Sequence, residues 1–228
     1  MSNSTIISEE SKDKKTSSRE DIAKDLIYAA FKSVSRFGLK AISNLEIDGQ
    51  ENVPLRGKAI LLTISDNSMR DMFVISQVSG RKIHFMVSPK LMKHQIAGPL
   101  LKALEMFRST TSKDDYEPIQ NIFKFLNEQG DLVAMTPESK HERDIQIKSV
   151  ASIVKFAVLS RAPIIPMAIC KTKTKLFDVI STGGLKLRVG RPITCDRKLS
   201  RPKYRNKRYE LAEDIVNIID TLKTVPDF

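Results

Sequence analysis

Ala59-Ile60-Leu61-Leu62-Thr63-Ile64-Ser65-Asp66-Asn67-Ser68-Met69-Arg70-Asp71 decides how this chain folds. Its first half is a continuous apolar run of strand length, the pattern of a strand buried on both faces of a parallel sheet. The polar residues that follow are helix-starting types, and a helical pattern resumes over Met69–Val78. Strand, polar turn and helix then recur. Ile83–Val87 is a second strand candidate, 98–106 looks helical, and Ile119, Ile122, Phe123 and Leu126 mark a helix ending before Gly130. Leu132–Met135 reads as a strand. Val150, Ile153, Val154, Ala157 and Val158 mark a helix, and Ile164–Ile169 is another apolar strand. Strands near 176–180 and 185–189 and a closing helix through Leu211, Ile215, Ile218, Ile219 and Leu222 complete the series. Upstream, a short strand around Leu45 and Ile47 ends in a turn at Asp48-Gly49. Strands alternating with helices of this length predict an α/β fold, a mostly parallel central sheet flanked by helices. No internal repeat is visible, and the polar, basic stretch 194–208 is the one linker candidate.

The chain divides into a polar tail expected to be disordered (1–18), an N-terminal amphipathic helix (19–44) and one α/β domain (45–228). In the helix, Ile22, Leu26, Ala29, Ala30, Val34, Phe37 and Ala41 share a stripe, with Lys24, Lys32, Arg36 and Lys40 mostly elsewhere. Such a stripe covers the domain's own core in the ordinary case. The other use is to lie on an anionic membrane. The formal net charge of +11 over 228 residues calls for an anionic partner. No apolar run approaches the roughly 20 residues of a spanning helix, and no signal-peptide core is visible. Membrane contact is therefore expected to be peripheral, on the inner, cytoplasmic face. Cys170 and Cys195 have neither disulfide-framework nor metal-ligand spacing, so a reducing compartment and no metal site are expected. Cys170 ends an apolar run and reads as a core thiol. No nucleic-acid motif or aromatic stacking array appears, and no nucleic acid is expected as a partner.

Several phrases, in order, resemble the glycerophospholipid acyltransferases, the family that includes the lysophosphatidic acid acyltransferases. Asp48-Gly49-Gln50-Glu51-Asn52-Val53-Pro54 is similar to that family's lead-in, Gly-x-Glu-Asn-hydrophobic-Pro. Ser65–Asp71 stands where the family carries Asn-His-x-Ser-x-x-Asp. Phe85–Ser88, Lys90-Leu91 and Gly98–Leu104 resemble the approach to its second motif, and Leu104–Thr110 that motif, Gly-x-x-Phe-x-x-Arg. Val133–Glu138 resembles a strand ending in Phe-Pro-Glu-Gly-Thr. Ala162–Ile169, with its two prolines, resembles the fourth motif, and Val189-Gly190-Arg191-Pro192-Ile193 the late Gly-basic-Pro-Ile turn. The match runs from about 45 to 193, and its order and spacing carry it.

The resemblance implies acyl transfer from a thioester, acyl-CoA or acyl carrier protein, to a hydroxyl of a lysophospholipid or glycerol-phosphate lipid. The donor is a co-substrate, and no cofactor is implied. A hydroxyl is a weak nucleophile and needs a base within hydrogen-bond reach. The family's base is His, oriented by the Asp five residues on. Here Asp66 occupies the His position and Ser65 the Asn position, while Ser68 and Asp71 match. The implied catalytic residues are thus Asp66 and Asp71. The implied substrate-binding residues are Ser68, Arg108, Pro137, Glu138, Ser139 and Lys140. Gly and Thr of the second substrate loop are replaced by Ser139 and Lys140, and the basic residue of the second motif has moved to Arg108. Three roles stand open around the missing imidazole. Asp66 and Asp71 form a carboxylate pair in which one group gains basicity. Asp66 merely caps the following helix. His141, three residues after Glu138, replaces the base. A family member that binds phospholipid or an anionic membrane without chemistry is the alternative to a working transferase. Two basic clusters, Lys171/Lys173/Lys175 and Arg197–Arg208, are either solvated or in contact with anionic headgroups or CoA phosphates.

Overall fold

The computed structural model describes residues 22–38, 45–110, 112, 114–176 and 180–224. The tail 1–18 lies outside them. Seven strands form one sheet: β1 (Glu46–Asp48), β2 (Ala59–Leu62), β3 (Ile83–Val87), β4 (Phe107–Arg108), β5 (Leu132–Met135), β6 (Ile164–Leu176) and β7 (Ile180–Val189). Their spatial order is β1-β7-β6-β2-β5-β3-β4. β2 lies at the centre, parallel to both β5 and β6, and β3 is parallel to β5 and β4. β6 and β7 are antiparallel, and β1 adds to the edge parallel to β7.

The strands read as apolar runs because both faces are covered. All four residues of β2 and of β5 are fully buried. Ala59, Leu61, Leu132, Ala134, Ile165 and Met167 face one layer, and Ile60, Leu62, Val133, Met135 and Ile164 the other. The first layer consists of α1 (22–38), α2 (Ser68–Ile75), α3 (Pro89–Met92) and α4 (Ala97–Ala103). The second holds α5 (Glu117–Phe123), which runs into a π-helical turn at Lys124–Gln129, with α6 (Arg143–Ser160) and α7 (Arg205–Thr224). Each buried Leu or Ile of these strands contributes about 1.5–3 kcal/mol of transfer free energy.

The Asp48-Gly49 turn shows why the lead-in has its sequence. Gly49 has φ 79°, and a Cβ there would sit 2.3 Å from the Val189 carbonyl oxygen. Asn52 donates from Nδ2 to that same oxygen at 2.9 Å, tying the turn to the end of β7.

Several expectations change. The helix expected over 98–106 stops after Ala103, because Glu105 adopts φ 54°, outside helical space, before β4 begins. The separate strands expected near 164–169, 176–180 and 185–189 are two long ones, β6 and β7, forming a hairpin paired from Met167↔Val189 to Leu176↔Ile180. The linker candidate 194–208, counted with the domain 45–228, is structured. It makes two 3₁₀ turns, Arg197–Ser200 and Pro202–Tyr204, and supplies the start of α7. Cys170 is half-buried, its thiol against the carbonyls of Leu222 and Lys223 at 3.7 and 3.6 Å. The stripe of α1 does not cover the core. Tyr28 and Ser35 are the buried residues, and Phe31 packs on Phe73, while Ile22, Leu26, Val34 and Phe37 point outward. Tertiary contacts chose the Tyr28 face: Tyr28 accepts at Oη from the Ile83 amide at 3.0 Å, and burial pushes its phenol up to about 12.

Candidate functional site

β2, β5 and β6 run parallel, so their carboxyl ends open on one side of the sheet, where open α/β sheets place their sites. Beyond β2 and β5 the chain does not splay apart. Thr63 donates its amide to the Met135 carbonyl (3.4 Å), Ser65 to Pro137 (2.8 Å), and Ser139 donates back to Ser65 (2.8 Å). Ser65 and Glu138 thereby form a parallel bridge that extends the sheet into the two loops. The segments holding Asp66, Ser68 and Asp71 on one side and Pro137, Glu138, Ser139 and Lys140 on the other are stitched side by side. α6 secures the second loop through Gln146, which donates to the carbonyls of Ser139 (2.8 Å) and His141 (2.7 Å). Ser139, in place of Gly, is accommodated without a positive φ.

Asp71 is the buried charge of this site, 1% exposed. The Ser65 hydroxyl donates to its Oδ2 at 2.5 Å, and Arg70 reaches its Oδ1 with Nε at 2.8 Å and Nη2 at 2.7 Å. Both carboxylate oxygens are therefore engaged, by neighbours that sequence reading left without a role. Asp66 does not share this arrangement. Its side chain is exposed and makes no hydrogen bond or ion pair among the described residues. It does not cap α2 either: Asn67 does, accepting from the Arg70 amide at 3.1 Å. Ser68, exposed, is the first residue of α2.

Glu138 is partly exposed and receives Lys140 Nζ at 2.7 Å. The Lys140 hydrogen bond and charge, with His141 and Lys90 farther off, hold the Glu138 carboxyl below the usual carboxylate range. His141 Nε2 lies 3.9 Å from Glu138, so the histidine belongs to the Glu138 loop and makes no bond to Asp71. Arg108 ends β4 at the same side of the sheet, yet its guanidinium is bound by Asp115 through both terminal nitrogens and by Glu117 at 2.7 Å. The Asp115 hydrogen bond, then that of Glu117, raises the already high basicity of Arg108. An incoming phosphate would compete with two carboxylates for it. The acids seven and nine residues downstream were the signal in the sequence.

A three-layer α/β domain whose loops after β2 and β5 are joined at the carboxyl ends of central strands, around a buried Asp, defines a class of ligand-binding domain in which the substrate meets strand ends. The family model described as Acyltransferase matches residues 44–170, more than half of the chain, and the chain belongs to that family, as the order of its glycerophospholipid acyltransferase-like motifs leads one to expect. Among solved structures, the 1-acyl-sn-glycerophosphate (LPA) acyltransferase PlsC from Thermotoga maritima matches with a TM-score of 0.62 at 15% identity, over 91% of this chain and 84% of that one. The shared element is the fold. Comparison with curated proteins finds no match. No helix among the described residues is long and apolar enough to cross a membrane.

Proposed function

We propose that this protein transfers an acyl group from acyl-CoA or acyl carrier protein to a hydroxyl of a lysophospholipid or glycerol-phosphate lipid, working on an anionic membrane from the cytoplasmic face. The observation that carries the reading is the stitched pair of loops, Ser65 bridged to Glu138. It holds the two motif segments at one edge, as a reaction joining two substrates requires. In the step itself, the acceptor oxygen bonds to the thioester carbonyl carbon. Its proton passes to a base, and the C–S bond breaks as the thiolate leaves and takes up a proton. Asp66 is the base in this reading, being the exposed carboxylate at the His position. Asp71 is a positioning residue that anchors α2 to the Ser65 turn. Ser68, Pro137, Glu138, Ser139 and Lys140 line the acceptor's side, Lys140 offering the cation for its phosphate.

One observation favours a second reading, headgroup binding without transfer. Asp71 is occupied by Arg70 and Ser65, so position 66 has no oriented partner and its carboxylate is a weak base for a hydroxyl. Purified protein incubated with radiolabelled acyl-CoA and lysophosphatidate, dispersed in detergent, separates the two. Time-dependent labelled phosphatidate supports transfer. Saturable lysophosphatidate binding with no product at high enzyme concentration establishes the second reading instead.

A further inference from the structure

α3 and α4 form the rim of the site beyond β3, and residues 88–104 contain no Asp or Glu. Lys90, Lys93 and Lys102 are all exposed there, and none pairs with a carboxylate among the described residues. Lys90 is near enough to act on Glu138 across the mouth of the site. In the same segment stand two apolar side chains left open, Ile96 at 82% exposed and Leu100 at 51%. They are four residues apart and so fall on one side of this segment. The inner residues of the same segment, Leu101 and Leu104, are buried, so it is anchored and presents Ile96 and Leu100 outward by construction.

The neighbouring helix repeats the pattern. α1 belongs to the same layer and is tied to the end of α4 by Lys24 and Glu105 at 3.6 Å. Its outward stripe of Ile22, Leu26, Val34 and Phe37 is uncovered, Phe37 at 80%. The opposite layer offers less, with Ile145, Leu159 and Ile218 at 41, 49 and 38%. The basic run 197–208 also packs on that opposite layer, through Leu199, with Tyr209 just beyond its end. A bilayer lying on the outward face of α1 has this run turned away from it.

We propose that Ile96 and Leu100, on a segment whose charged residues are Lys90, Lys93 and Lys102, form a second foot which, with the stripe of α1, seats the mouth of the site on an anionic bilayer. This rests on the lipid-directed function above. Apolar side chains bury in the headgroup boundary while lysines beside them meet anionic headgroups. Charge complementarity selects the occupant, since residues 88–104 carry three exposed lysines and no acid. The geometry gives the acceptor lipid a short path, from the bilayer past α4 to the loop of Glu138.

The chain has no Trp, so Ile96→Trp installs a single reporter. Its emission should shift to the blue on vesicles containing phosphatidylglycerol, and stay unshifted with pure phosphatidylcholine. Leu100→Asp should weaken partition to the anionic vesicles about tenfold. An unshifted Trp on vesicles that sediment the protein overturns the proposal, because another face then docks. Emission already blue-shifted in lipid-free buffer, with a dimer in sedimentation velocity, overturns it in favour of a second copy. Partition needs no turnover, and the transfer assay uses detergent-dispersed lipid. Failure of the foot and failure of the transferase reading are therefore read separately.

Discussion

Asp71 is held by a hydroxyl and a guanidinium inside the protein, which makes it first a structural charge. Removing one partner of such a buried pair costs about 3 kcal/mol. Asp71→Ala should therefore lower the denaturation free energy by that order in a urea titration, with unchanged slope. Asp66 offers the opposite case. It is exposed and unbonded, so Asp66→Asn should move stability by less than about 0.5 kcal/mol. If Asp66 is the base, the same change lowers kcat by about 10²–10⁴-fold. Asp66→His restores the family's residue but not its partner, since Asp71 stays bound to Arg70. Only the combination with Arg70→Ala frees an oxygen of Asp71 for an imidazole, and it should exceed Asp66→His alone in initial rate. Equal rates for the two would mean that Asp71 does not orient the base. The motif positions were readable from spacing along the chain. The bonding was not, because whether Asp71 faces position 66 or Arg70 depends on rotamers within a turn. Arg108 teaches the same at longer range, where acids seven and nine residues on convert a candidate phosphate ligand into a closed ion cluster.

At the scale of elements, patterns told strand from helix well where both faces are buried, as in β2, β5 and the start of β6. They failed for α1. A helix with apolar residues on two sides does not announce which side is inward, and Tyr28 with Phe31 won because β3 and α2 offer a bonding amide and a facing ring. Charges also hold α1 down. Lys82 contacts Glu105 at 2.5 Å and Asp25 of α1 at 3.5 Å, and Lys24 of α1 reaches Glu105 at 3.6 Å. Burial alone would raise the Glu105 carboxyl, but the Lys82 hydrogen bond and charge outweigh it, helped by His84 and Lys24, and hold it below its ordinary 4.5. A carboxyl lowered in the folded state stabilises fully above its ordinary value, and the contribution disappears as pH falls through the lowered one. Melting temperature should thus drop as pH is taken from 6 to 3. Glu105→Gln should start lower at pH 6 and lose less on acidification. An identical pH slope in the variant would place the acid sensitivity elsewhere.

For the whole molecule, the net charge of +11 says only that an anionic partner is favoured. The three-dimensional arrangement decides which of the basic residues can meet it together. Lys90, Lys93 and Lys102 share the layer of α1, whereas Arg197, Arg201 and Lys203 lie on the segment that packs on the opposite layer. A bilayer lying on the outward face of the α1 layer has the opposite layer turned away from it. Each basic residue near an anionic surface contributes about 1 kcal/mol, and salt screens it over about 10 Å at 0.1 M. Two triple variants of equal charge change then give unequal results. Changing Lys90, Lys93 and Lys102 to Gln should weaken partition to phosphatidylglycerol vesicles by about 100-fold at low salt, and flatten its salt dependence. Changing Arg197, Arg201 and Lys203 to Gln should alter it by no more than about threefold, the long-range effect of lower net charge. Equal losses in the two variants would mean that net charge alone drives binding. A larger loss in the second would turn the molecule over and put the face of α6 and α7 against the lipid.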